Sequence, residues 1–306
     1  MFKITRDQIK KIPLVKPAIA LLQNITFETL QGVSLYELIK HYFIGIVRGA
    51  FTYRASAIAF SFFMALFPFA LFVLNLIPFI PLEHFQEDFL EFVSQSVPPN
   101  TFEAIASILK DIMNTSYKGL LSSGFFLSIF LMSNGINALL DGFEMSSNIS
   151  VKRGFFQQYA VAIGLSICVA FLLLLSVATL IVVEIILYNI QVQNYFSSDI
   201  SVLKWSRFVF IVLMVLLITS LLYKFGTKET RKIPFFSYGS TITTVLFLLT
   251  SYVFGIYVEK FARYNELYGS IGTLLVMMFY VWINCMLLLL GFELNAFIFK
   301  WKQKNK

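Results

Sequence analysis

Long uncharged stretches alternate with short charged segments along this chain. Six apolar windows stand out, and the charged residues lie mainly between them. An α-helix of roughly 20 apolar residues crosses a hydrocarbon core about 30 Å thick. The pattern therefore predicts an all-α integral membrane protein, a six-transmembrane-helix bundle. The predicted spans are residues 55–80, 119–140, 156–187, 205–224, 234–258 and 268–296.

Two other segments place apolar residues at helical spacing opposite a polar face. One is residues 35–50, and the other is residues 102–113. Amphipathic helices of this kind lie in the membrane interface with the apolar face in lipid. We predict an N-terminal arm at 1–54 with such a helix, a membrane domain at 55–299 and a basic tail at 300–306.

Composition supports a membrane protein. Hydrophobic residues make up 58% of the 306 positions, charged residues make up 13%, and the mean hydropathy is +0.77. A soluble protein of this length cannot bury so much apolar surface in its core, so lipid must cover part of it. The high aromatic content, 17%, fits helices that expose rings to acyl chains.

The distribution of Lys and Arg predicts the orientation. Of the 24 basic residues, 18 lie in the N-terminal arm, the second and fourth connections and the tail, and 6 lie in the alternate connections. Basic residues near span ends remain in the cytoplasm, so both termini are predicted to be cytoplasmic. The net charge of +7 is spread over short segments, which excludes a nucleic-acid surface. We expect membrane lipids as partners, and an envelope partner at the external loop 81–118; oligomeric state stays open.

Several polar residues map to the cytoplasmic ends of the predicted spans. They form a predicted polar inner-mouth cluster, whose members are Arg54, Asn134, Asn137, Asp141, Glu293 and Asn295. Ionised groups next to hydrocarbon usually have a partner, so we predict an ion pair between Arg54 and Glu293. Two interpretations stay open, a structural contact between helices and a coupling role in transport.

The last span carries a stripe of small and polar residues at nearly helical intervals. Its members are Gly269, Gly272, Tyr280, Asn284 and Gly291. Such a stripe either permits close helix packing or lines a substrate path. In the first span, Pro68 removes a backbone hydrogen bond and predicts a kink near Leu66. The Asn75 amide is placed to satisfy a freed carbonyl or to face a groove.

The sequence offers little for catalysis. Metal-dependent hydrolysis needs clustered His and carboxylate ligands, whereas His41 and His84 are predicted on opposite sides of the membrane. Cys168 and Cys285 both lie in apolar stretches and are read as structural thiols. No phosphate-binding loop or nucleophile motif occurs. We expect no enzymatic activity, no cofactor and no metal site.

Three segments resemble the YihY/BrkB family of bacterial inner-membrane proteins. They are YGSIGTLL at 268–275 followed by Tyr280 and LLLLGFELNA at 287–296, RASAIAFSFFMALFP at 54–68, and SNGINAL at 133–139. The resemblance covers residues 48–296 and implies a bacterial inner-membrane protein of six spans. It also implies a role in the cell envelope or in transport of ions or lipid-like molecules, and the family once carried the label ribonuclease BN.

Together these features favour a transporter or flippase-like protein for an amphiphilic or lipid-linked solute. A cation/proton antiporter and a non-transporting envelope scaffold are the alternatives. The interior of the bundle distinguishes them. A hydrated cavity reaching both Asn284 and Glu293 would favour a soluble solute, a lateral apolar groove would favour an amphiphile, and a fully packed bundle would favour a scaffold.

Overall fold

The computed structural model describes residues 51–76, 118–192, 200–261 and 270–304, together with short pieces of the N-terminal arm and single positions between 87 and 110. Within these helices, the side chains of several end segments are outside the description. They are those of residues 69–76, 118–125, 184–192, 200–204, 259–261 and 270–271, together with Phe67, Leu180, Ile181, Thr273 and Lys304.

Six long α-helices make up the main described ranges, and each coincides with one predicted span. They are α1 Phe51–Leu76, α2 Lys118–Glu144, α3 Phe155–Val192, α4 Ile200–Gly226, α5 Tyr238–Phe261 and α6 Ser270–Lys304. In α2 to α6, the described residues include a stretch long and apolar enough to cross a membrane. The described apolar stretch of α1, Phe51–Leu66, is shorter. The chain is therefore a helical, multi-pass membrane protein.

The helix α6 extends past the predicted end of its span. The helix continues to Lys304, beyond the predicted span end at residue 296 and through most of the predicted tail 300–306. Leu294, Phe297 and Ile298 are buried and pack with Trp301, so apolar side chains keep helical spacing past the point where lysines begin. The lysines obscure this pattern because their charged heads reach water while their stems stay on the helix.

The N-terminal arm contains a short antiparallel β pairing that the sequence does not predict. Thr26–Phe27 (β1) pairs with Val33–Ser34 (β2). Two-residue strands are too short to show an alternating pattern. The two predicted interfacial helices, 35–50 and 102–113, lie almost wholly outside the described residues. The exceptions, which are helical, are Tyr36, Ala106, Ser107 and Lys110.

The bundle core forms where α1, α2 and α6 meet. α1 packs most extensively on α2 and then on α6, while α3, α4 and α5 complete the ring through successive neighbours. Ile58 of α1, Leu139 and Phe143 of α2, and Leu289 and Phe292 of α6 are almost fully buried. The outer faces are apolar too, since Phe156 is 87% exposed, as expected for surface covered by lipid.

The α2–α3 connection, the α4–α5 connection and the end of α6 meet at one end of the bundle, which we call the basic end. Here α1, α3 and α5 begin, and α2, α4 and α6 end. Glu229 Oε1, after α4, accepts hydrogen bonds from Ser150 N and Val151 N at 2.9 and 2.7 Å. Lys300 Nζ of α6 donates to Ser147 O at 2.9 Å. The α2–α3 connection, the α4–α5 connection and the last turns of α6 therefore lie together.

Candidate functional site

An ion pair joins the first and last helices at the basic end. Arg54 Nη2 lies 3.4 Å from Glu293 Oε1, and Arg54 Nη1 donates to Gly142 O of α2 at 2.7 Å. Arg54 is 5% exposed and Glu293 is 7% exposed, so both charges are withdrawn from solvent. The guanidinium also lies 4.7 Å from the centre of the Phe51 ring. The predicted contact between Arg54 and Glu293 is confirmed.

The second carboxylate oxygen of Glu293 is also satisfied. Oε2 accepts a hydrogen bond from Ser146 Oγ at 2.6 Å and another from Asn148 Nδ2 at 3.4 Å. Breaking one member of a buried pair is costly because it leaves a charge without a partner. The carboxylate therefore ties α6 both to α1 and to the connection between α2 and α3.

Asn137 and Asp141 belong to a different hydrogen-bonded group, between α2 and α3. Gln158 Nε2 donates to Asn137 Oδ1 at 3.1 Å and to Asp141 Oδ1 at 2.6 Å, and Asn137 Nδ2 donates to Asp141 Oδ2 at 3.3 Å. Neighbouring residues of a helix project about 100° apart, so Asp141 faces α3 while Gly142 faces α1. Asn134 likewise accepts from the Tyr159 hydroxyl of α3.

Asn295 belongs to a third group, where it holds the start of α5. Its Oδ1 accepts from Gly239 N at 2.8 Å, and its Nδ2 donates to Ser237 Oγ at 2.7 Å. Ser237 and Ser240 exchange hydrogen bonds at the same helix end, which satisfies other N–H groups that lack helical partners. The six residues predicted as one inner-mouth cluster thus form three separate groups at the same end of the bundle.

A second buried ion pair was not predicted. Arg153 Nη1 lies 3.9 Å from Glu144 Oε1, and the same guanidinium donates to Gly226 O and Phe225 O at 2.7 and 2.9 Å. These carbonyls end α4, so Arg153 caps that helix. Burial lowers the pKa of Arg153, and the attraction of Glu144 opposes that change. The sequence shows a basic connection but nothing that points to the end of another helix.

One part of the stripe on α6 serves close helix packing. Gly291 and Gly239 mark the closest approach of α6 and α5: a methyl group added at Gly291 would lie 2.6 Å from the Tyr223 hydroxyl and would overlap Thr243 Oγ1. Gly272 is buried, and Gly269 lies outside the described residues. Gly291 is therefore a packing residue.

Tyr280 and Asn284 of the same stripe line an apolar cavity. The cavity has a volume of about 360 Å³ and is walled by α1, α2, α3, α5 and α6. The Tyr280 hydroxyl lies 2.6 Å from Ser251 Oγ, and Asn284 Nδ2 donates to the Tyr280 carbonyl at 2.8 Å. The lining residues are Phe62, Ala65, Leu66, Met132, Val169, Leu173, Phe247, Tyr280, Val281, Asn284, Cys285 and Leu288.

Close packing separates this cavity from the ion pair. A methyl group at Gly142 would lie 3.0 Å from Ile58 Cδ1 and 3.1 Å from Leu289 Cδ2, so these two side chains meet over Gly142. Leu289 follows the cavity residue Leu288 and precedes Glu293 by about one helical turn, or about 6 Å. The cavity reaches Asn284 but not Glu293, and a layer of apolar side chains lies between.

The remaining predicted positions lie on α1 or outside the description. Pro68 is inside α1, which continues to Leu76, and Leu66 lines the cavity. The Asn75 side chain, His41 and His84 are outside the described residues. In the part of the chain that is described, no three His, Cys, Asp or Glu side chains are grouped to hold a metal ion.

Comparison with known proteins places these features in a family. The chain is 28% identical over 252 residues to the ribonuclease-like protein YfkH of Bacillus subtilis, an alignment covering 82% of this chain and 90% of YfkH. It is 23% identical over 246 residues to a UPF0761 membrane protein of Coxiella burnetii, covering 78% and 84% of the two chains. No solved structure matches the chain. A family model described as virulence factor BrkB matches residues 46–306, and the chain belongs to this BrkB family.

Proposed function

We propose that this protein moves an amphiphilic or lipid-linked solute within the bacterial cell envelope, as a transporter or flippase-like protein without enzymatic activity. The observation that carries the proposal is the apolar cavity between α1, α2, α3, α5 and α6. Its walls are almost entirely hydrocarbon, with the Tyr280 hydroxyl and the Asn284 amide as polar groups. A hydrated ion would lose solvation in such a cavity, whereas an acyl or prenyl chain would gain from burial.

The ion pair explains how the path would be closed at one end. Ile58 and Leu289 fill the space between the cavity and the basic end, and Arg54 and Glu293 hold α1 to α6 just beyond them. Separating α1 from α6 would connect the cavity to the headgroup region. Closure would restore the buried pair, so the two arrangements would differ by a discrete set of contacts.

The topology that we propose has six spans, with both termini cytoplasmic in the inner membrane. The meeting of the basic connections at one end of the bundle supports it, because basic residues near span ends are retained in the cytoplasm. The loop 81–118 would then be external and available to an envelope partner. The segments 35–50 and 102–113 would lie in the two interfaces and contact lipid headgroups.

Reconstituted vesicles test the proposal. Full-length protein is placed in vesicles that contain headgroup-labelled phosphatidylglycerol, and the fraction of label that an external quencher reaches is followed over time. We expect faster exchange than in protein-free vesicles. Ala65→Phe, which fills the cavity, should reduce the protein-dependent rate by about tenfold, since the displaced chain loses its site. Ala57→Phe on the exposed face of α1 is the matched control and should keep the rate.

The same vesicles distinguish the alternatives. Cation flux driven by a proton gradient, without lipid exchange, would favour the antiporter, for which the buried Glu293 carboxylate is the candidate group. Absence of both activities in correctly folded protein would favour the scaffold. Equal lipid exchange by Ala65→Phe and Ala57→Phe would contradict the cavity as the path.

A further inference from the structure

A second cavity lies on the surface of the basic end, away from the apolar cavity. It has a volume of about 480 Å³ and lies between the start of α5 and the last turns of α6. Lys232 and Lys302 border it, as do the apolar side chains of Pro234, Ile298 and Phe299. Two cations and an apolar wall therefore share one opening.

The two lysines are available to a ligand. Lys232 is exposed and Lys302 is half-buried, and neither amine has a hydrogen-bond or ion-pair partner among the described residues. The nearby Glu229 carboxylate is directed to the backbone of Ser150 and Val151 instead. The start of α5 adds the positive end of a helix dipole to the same wall. The electrostatic field of this cavity thus favours an anion.

The position of this cavity suits a membrane interface. The apolar stretch of α5 begins at Tyr238 and that of α6 ends at Gln303, and both residues border the opening. Phe236 and Tyr238 are 57% and 46% exposed, and aromatic rings are enriched where acyl chains meet headgroups. A ligand here would have its charged group in the interface and its chains along the bundle.

From this combination we propose that the second cavity is a binding site for an anionic glycerophospholipid of the surrounding leaflet. The phosphate lies between the Lys232 and Lys302 amines, and the start of one acyl chain lies against Ile298 and Phe299. Free phosphate would leave the apolar wall unused, and a zwitterionic lipid would bring its own cation to the lysines. The site is independent of the transport proposed above, because it shares no lining residue with the apolar cavity.

Native mass spectrometry of the full-length protein in detergent tests the site. Phosphatidylglycerol or phosphatidylcholine of the same acyl composition is titrated, and the fraction of protein that retains a lipid is measured. We expect tighter retention of phosphatidylglycerol. The double variant Lys232→Gln and Lys302→Gln should lower that apparent affinity by about thirtyfold, because each of the two interfacial lysines contributes about 1 kcal/mol to anionic lipid binding.

Two controls make the result specific. The double variant Lys152→Gln and Lys228→Gln removes the same charge from the basic end outside the cavity. It should retain phosphatidylglycerol with close to the wild-type affinity. Lys302→Arg keeps the cation and should retain phosphatidylglycerol, provided that each variant melts at the wild-type temperature. Equal retention of the two lipids, an unchanged Lys232→Gln and Lys302→Gln variant, or displacement of phosphatidylglycerol by free glycerol phosphate would each overturn the proposal.

Discussion

Arg54 and Glu293 are 239 positions apart in the chain, and the Arg54 guanidinium nevertheless contacts the Glu293 carboxylate inside the bundle. The pair closes a ring of helices by joining α1 to α6. It is supplemented by the Gly142 carbonyl on the arginine side and by Ser146 and Asn148 on the carboxylate side. Neither charge can therefore be changed without leaving other polar groups without partners.

Exchanging the two charges should not restore stability. In Arg54→Glu with Glu293→Arg, the Gly142 carbonyl loses its donor, and Ser146 and Asn148 face a guanidinium in place of an acceptor. We expect each single variant to lose about 3–5 kcal/mol of unfolding free energy. The exchanged protein should remain about 2 kcal/mol below wild type. Denaturant unfolding in detergent measures this, and full recovery in the exchanged protein would show that the neutral contacts contribute nothing.

Gly291 should tolerate no larger residue. In Gly291→Ala the added methyl group overlaps Thr243 and crowds Tyr223, so α6 must move away from α5. Overpacking of this kind costs about 1–3 kcal/mol. Gly164→Ala in α3 is the matched control, since a methyl group there meets nothing within 4 Å. Thermal unfolding compares the two, and equal stability would mean that α5 and α6 are not in close contact at Gly291.

Asn295 should contribute to stability through the start of α5. In Asn295→Ala, Gly239 N loses its acceptor and Ser237 Oγ loses one of its hydrogen bonds, at a cost of about 1–2 kcal/mol. Asn295→Asp keeps an acceptor for Gly239 N and should cost less. Asn284→Ala is the control, because among the described residues that amide bonds only to the backbone of its own helix. Thermal unfolding compares the variants, and equal melting temperatures of Asn295→Ala and Asn284→Ala would contradict the capping role.

The proposed topology predicts opposite exposure of two connections. In a protein with Cys168 and Cys285 replaced by Ala, Lys152→Cys should react with an impermeant thiol reagent only from the cytoplasmic side. Glu266→Cys should react only from the outside. The control is labelling of both thiols after the membrane is disrupted. Reaction of both thiols from the same side of the intact membrane would rule out alternating spans.

The six helices could be predicted because each contains a long apolar run, a property of composition that needs no knowledge of neighbours. The pairing of Arg54 with Glu293 could also be predicted, since both charges are predicted at the same depth and buried charges need partners. Depth alone, however, groups every polar residue at one level. It cannot separate Asp141, which faces α3, from Glu293, which faces α1, because that depends on how each helix is rotated.

Contacts between a side chain and a distant backbone group could not be predicted from the sequence either. Arg153 caps α4 through the carbonyls of Phe225 and Gly226, and Asn295 caps α5 through Gly239 N. Backbone groups are the same at every position, so no residue pattern marks which helix end a side chain will reach. The apolar cavity is likewise a gap between five helices, and only their packing reveals it.

The measurement that most directly tests closure of the apolar path by the ion pair is lipid exchange per mole of folded protein for Glu293→Gln. Loss of the pair should favour the arrangement in which α1 and α6 separate. The exchange rate should therefore rise by about tenfold, the equivalent of 1.4 kcal/mol. Glu229→Gln removes a carboxylate from the same end without affecting a contact to α1, and this variant should exchange lipid at close to the wild-type rate. A Glu293→Gln protein that folds and exchanges lipid at the wild-type rate would contradict the account.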